Sequence, residues 1–181
     1  MLTIYIKGRE EFDQIKQKFF EVKGTYLSLE HSLVSISKWE SKWHKPFISK
    51  EPKTREEIID YIKCMTLTQN VDPYVYTLLS EDNIKEINDY IANPMTATWF
   101  NEEKNTGKKN SEQITSELIY YWMVALNINW EAKKWHLNRL LTLIRICNIK
   151  NQPPKKMSKH EAMSRNAKLN AERKRKLGTS G

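Results

Sequence analysis

Apolar residues at the start of the chain alternate with polar ones, and further on they recur every third or fourth position. Leu2, Ile4 and Ile6 alternate with Thr3, Tyr5 and Lys7, and Phe20, Val22, Leu27 and Leu29 form a second set around Lys23-Gly24. Period-two alternation beside a glycine turn predicts a β-hairpin or a three-stranded sheet. From Leu33 the spacing lengthens, and Leu33, Ile36, Trp39 or Glu40, and Trp43 share one face of a helix that Pro46 ends. Thr54 and Glu57 have the spacing at which hydroxyl and carboxylate each satisfy a free N–H of a first turn, which predicts a helix over 54–66 carrying Ile58, Ile59, Ile62 and Met65. Asp72-Pro73 opens a short segment, and Ser80 caps another with Ile84, Ile87 and Ile91 that Asn93-Pro94 stops. Met95 to Asn110 keeps no period and is mostly polar, the pattern of an exposed loop. Ser111 is placed to cap a helix over 114–128, with Ile114, Leu118, Tyr121, Trp122 and Ala125 on one broad face. Asn129 is placed to cap another over 130–147, turning Leu137, Leu140, Leu141 and Ile144 inward, and the short link between the two favours an antiparallel pair. The sum is a mainly α fold with a small N-terminal hairpin or sheet, an α+β arrangement without internal repeats.

Past Asn148 the pattern breaks at Pro153-Pro154, and the charge separates with it. Residues 150–181 hold ten Lys and Arg against two Glu, whereas residues 1–149 hold twenty bases and twenty acids. The whole net charge of +8 therefore belongs to the tail. We expect a compact, mostly helical domain over 1–149 and a mobile basic tail over 150–181. Ser158 and Glu161 give the tail helical propensity over 158–176, but it has almost nothing to bury, so it should order on a partner.

Composition narrows the classes of function. Six Trp, eight Tyr and five Phe supply a core. The longest uncharged apolar run, Ile119 to Leu126, falls far short of the roughly 20 residues of a membrane helix. The first residues carry no apolar stretch of signal-peptide length, so the expected place is a cytoplasm and no membrane partner is expected. Cys64 and Cys147 have no Cys or His at ligand spacing and read as reduced thiols. Five scattered glycines give no phosphate loop, and His31, His44, His136 and His160 give no metal spacing. The paired acids Glu10-Glu11, Glu56-Glu57, Glu81-Asp82 and Glu102-Glu103 fall where solvated first turns or loops are expected. No cofactor and no enzymatic activity are expected.

Two features point to binding instead. Trp39, Trp43, Trp130 and Trp135 stand near Lys38, Lys42, Lys133 and Lys134, a combination that stacks bases and neutralises phosphates. Their helical spacing is more simply that of core tryptophans with lysine stems snorkelling beside them. His31 and His136 read as structural or capping histidines. The tail suits nucleic acid or an acidic protein surface; six phosphate contacts would give log K a slope near −5 in log salt, roughly, and a protein partner a gentler one.

Three blocks, LEHSLVSISKWESKW (Leu29 to Trp43), ITSELIYYWMVALNI (Ile114 to Ile128) and WHLNRLLTLIRICNIKNQPPKKMS (Trp135 to Ser158), carry a resemblance. The chain resembles, from Leu27 to its end, a family of small proteins from the virion assembly genes of long-tailed bacteriophages and prophages, the tail assembly chaperones. The resemblance implies a non-enzymatic chaperone in the host bacterial cytoplasm that binds the tape measure protein and helps deliver tail tube subunits. The expected partner-binding residues are Lys155, Lys156, Arg165, Arg173 and Arg175 in the tail and Trp39 on the Leu33 to Trp43 helix. A head-to-tail connector or minor virion protein, and a small nucleic-acid-binding protein acting through the tail, are the alternatives, and self-association stays open.

Overall fold

The computed structural model describes residues 1–13, 17–100, 113–152 and 159–178. Strands β1 (Leu2–Ile6), β2 (Arg9–Asp13), β3 (Lys18–Val22) and β4 (Thr25–Leu29) form two antiparallel ladders, β1 with β4 and β2 with β3. Both ladders keep one register, since Ile6 faces Thr25 on one side of the break and Arg9 faces Val22 on the other. They are two halves of a single ribbon. Lys7-Gly8 and Lys23-Gly24 interrupt it at facing positions, and a side chain on Gly8 would collide with the Val22 carbonyl and the Gly24 amide. The expected glycine turn is thus corrected: Lys23-Gly24 is the break, and the chain reverses between Asp13 and Lys18.

The alternation does its expected work in the outer ladder. Ile4, Ile6, Leu27 and Leu29 are buried while Tyr5 and Tyr26 face out as a cross-strand pair, ring centroids 4.8 Å apart. Residues 65–67 extend this ladder, with Glu30 N–H donating to the Met65 carbonyl (2.9 Å) and Leu67 N–H to the Ser28 carbonyl (2.8 Å).

Helix α1 (Leu33–Trp43) packs on α2 (Arg55–Met65), α4 (Ser116–Ala125) and the segment Trp130–Lys134, and α3 (Glu81–Ala92) packs on β1. The expected caps at Thr54 and Ser80 form, each with a reciprocal bond from the third residue on, and Asp72 caps a 3-10 helix over Pro73–Leu78. Helix α4 starts later than expected, capped by Thr115, and it buries Ser116, Ile119 and Met123 instead of the Ile114–Leu118–Tyr121–Trp122–Ala125 face. A helix apolar on every side leaves period alone unable to choose its inward face. The expected helix over 130–147 is likewise two elements, a 3-10 helix (Trp130–Lys134) capped by Asn129 and α5 (Leu137–Asn151), which buries Leu137, Leu140 and Ile144. They part at His136, which a β-bridge to Ser32 and a bond from Leu137 N–H to the His31 carbonyl (2.7 Å) hold against the start of α1.

The fold is mainly helical, with the strands confined to the N-terminal ribbon. Two compact units divide it, Met1–Cys147 and Asn148–Gly181, one residue or two from the boundary expected from charge. The second unit contains α6 (Lys159–Leu177). Of the expected loop, residues 95–100 carry no regular structure, and residues 101–110 lie outside the described residues.

Candidate functional site

In α1 the 3.6-residue repeat aims Trp39 inward. Its indole is 1% exposed, and its N–H donates to the Glu57 carbonyl of α2 at 2.9 Å. Trp39 is therefore corrected from a candidate contact to a core residue: both its apolar area and its only polar atom are already used. Trp43 sits beside it, stacked at 6.1 Å, donating to Asp60 Oδ2 at 3.0 Å.

Beside Trp39 lies a group the pattern only half indicated. Glu40 is buried, and its two oxygens accept backbone N–H bonds from Phe47 (2.7 Å) and from Ser116 (2.7 Å), the first residue of α4. A carboxylate at a helix N-terminus meets unpaired N–H groups and the positive end of the helix dipole. Glu40 thus ties α1, the turn after it and α4 into one unit. Glu57 does a similar task within α2, accepting from Thr54 N–H and the Lys45 ammonium (both 2.8 Å), and Lys45 together with the cap holds its carboxyl below the ordinary range.

The two inner histidines form a polar cluster at the junction of β4, α1, α3 and α5. His31 is 3% exposed; its Nδ1 lies 2.5 Å from the Tyr61 hydroxyl, and its ring meets that of His136 edge to face at 5.0 Å. His136 Nε2 is 3.1 Å from the Tyr90 carbonyl, while the Tyr90 hydroxyl donates to Glu30 at 2.6 Å. Burial, helped by the charge of His136, pushes the His31 imidazole down to about 3, and burial lowers His136 as well. Burial also raises the Tyr61 and Tyr90 hydroxyls, so each stays protonated. Every buried side-chain nitrogen or oxygen among the described residues has a hydrogen-bond partner, so this cluster ties the elements around it together. Among the described residues no group of three or more His, Cys, Asp or Glu is placed to hold a metal. A groove of about 580 Å³, lined by Arg55, Ile58, Leu79, Ile84 and Lys85 among others, brings no set of reactive groups together.

The basic residues stand differently. Arg165, Arg173 and Arg175 lie on α6, whose described side chains are all exposed apart from half-buried Ala162. Arg165, Lys168 and Arg175, at spacings of three and seven, share one side of the helix, with Arg173 off that line. The one ion pair described on α6 joins Lys176 to Glu172 at 3.0 Å. Lys155 and Lys156 lie outside the described residues.

Two tryptophans that helical spacing assigned to the core are exposed. Trp130 is 48% and Trp135 37% accessible, each with a cation over its ring: Lys133 Nζ at 4.9 Å and Arg139 Cζ at 4.6 Å. The sequence signal was present in the adjacent lysines, and what it lacked was the break of the helix into a 3-10 turn at Trp130 and extended backbone at Trp135. No helix among the described residues is long and apolar enough to cross a membrane.

No protein-family model, curated protein or solved structure matches the chain.

Proposed function

We propose that the chain is a non-enzymatic interaction protein, a tail assembly chaperone of a long-tailed phage acting in the host bacterial cytoplasm on the tape measure protein and tail tube subunits. The observation that carries the binding part of this reading is α6, a 19-residue helix with no buried side chain among the described ones. Isolated polar helices are marginal in water, and tertiary packing normally supplies what they lack. A helix that has no such packing and carries most of the chain's net charge is suited to ordering against an acidic partner surface. The body supports the same reading, because its buried titratable groups are all spent on internal bonds. The phage assignment itself rests on the resemblance of the three sequence blocks.

The test is a tagged pull-down from nuclease-treated lysate containing the phage structural proteins, using the full chain and an R165E/R173E/R175E variant. Recovery of a long helical tape measure protein or of tail tube subunits, lost in the variant, is the expected outcome. Specific recovery of portal or capsid proteins instead would favour the connector or minor virion reading.

A further inference from the structure

The body carries an exposed surface of its own over residues 116–139, whichever partner α6 takes. Helix α4 is apolar on its outer side as well as its inner one, with Tyr121 64% and Val124 69% exposed. Tyr120, one helical turn before Val124, packs against Trp130 with ring centroids 5.2 Å apart, which carries the apolar stripe across onto the 3-10 helix. There Lys133 stands over Trp130, and after it Arg139 stands over Trp135. Among the described residues neither cation has a carboxylate partner, whereas neighbouring Lys134 is paired with Glu131 at 2.8 Å.

We infer that this surface is a stacking site for single-stranded nucleic acid. Three of its four large exposed side chains, Tyr121, Trp130 and Trp135, are aromatic, and two of them carry a cation at the ring. Each base of a single strand offers a π-face and brings one phosphate with it, and an exposed aromatic beside an unpaired cation meets both demands at once. A duplex hides its base faces and would reach only the cations. Cations stand over rings elsewhere in the body too, Lys53 over Phe47, Lys63 over Tyr76 and Arg145 over Phe100, but those rings are buried or half-buried; among the described residues the exposed rings so placed are Trp130 and Trp135.

The test uses the full chain with fluorescein-labelled U20 RNA and a 20-base-pair duplex, followed by anisotropy and by quenching of intrinsic tryptophan fluorescence. Single strands should bind and quench. Trp130→Ala should weaken binding of the single strand about 5- to 50-fold and leave any duplex binding unchanged, while Trp130→Phe should recover part of the loss. K133E/R139E, both at accessible positions, should lower the salt slope by about 1.4 for two phosphate contacts; it tests the site even if Trp130→Ala fails to fold. Absence of binding by U20 at low salt would overturn the inference. So would binding that is unaffected by both sets of substitutions, which would place the contact on α6, or equal binding of strand and duplex without quenching.

Discussion

Helices α1 and α6 are made by the same rules of propensity and come to opposite ends. The 11 residues of α1 include five buried ones, a reciprocal cap at Ser32 and Ser35, and polar ties from Trp39, Glu40 and Trp43 to three other segments. The described side chains of α6, a 19-residue helix, include no buried one. Length is therefore a poor guide to how firmly a helix is held; the number of side chains that find partners outside it decides. In this protein the firmly held part is electrically neutral and the loosely held part carries the charge, so stability and attraction for partners are encoded in separate stretches of sequence.

Acid should expose the contrast most strongly. His31 is depressed from 6.5 to about 3 in the fold, so the unfolded chain takes up its proton first as pH falls. The stability tied to His31 is complete above about 6.5 and declines toward 3, by about 4 to 5 kcal/mol over that span; His136 and Glu57 act in the same direction. Urea unfolding at a series of pH values, followed by tryptophan fluorescence, should show this slope, and flat stability from pH 7 to 4 would contradict the buried histidine pair. Trp39→Ala should cost about 4 kcal/mol from lost burial and the unpaired Glu57 carbonyl, measured by chemical denaturation. Glu40→Ala should cost about 3 kcal/mol, because two buried N–H groups lose their acceptor. Ending the chain at Gln152 should change stability by less than about 0.5 kcal/mol, since the last buried side chain of α5 is Ile144. A large drop in melting temperature on that truncation would erase the distinction between the two helices.

The firmly held elements were also the more legible in sequence, but for a local reason. Capping at Thr54, Ser80 and Asp72, and the face of α1, depend on residues three or four apart, and the pattern displays them directly. What it hid depends on distant partners. His136 breaks the expected last helix because Ser32 pairs with it across more than a hundred residues, and Glu40 finds Ser116 across 76. In α4, apolar side chains on every face removed the contrast that periodicity needs. The exposed pair Trp130 and Trp135 was visible as aromatic residues beside lysines, yet Trp130 opens a five-residue 3-10 helix and Trp135 follows it in extended backbone, so neither ring keeps the face a continuous α-helix would give it. The charge boundary between residues 149 and 150 needed no geometry, because it is a count of Lys, Arg, Asp and Glu along the chain.

The Glu40 carboxylate has a consequence for how the chain tolerates change in length. Because it grips the first N–H of α4, that helix is anchored by α1 and not by the connection that leads to it across residues 93–115. Even doubling such a connection costs only about 0.6 kcal/mol in closure entropy. Extra residues carrying a fluorophore or an epitope should therefore be accepted there while α4 keeps its seat, making this the natural place to instrument the protein without disturbing either of its helical extremes.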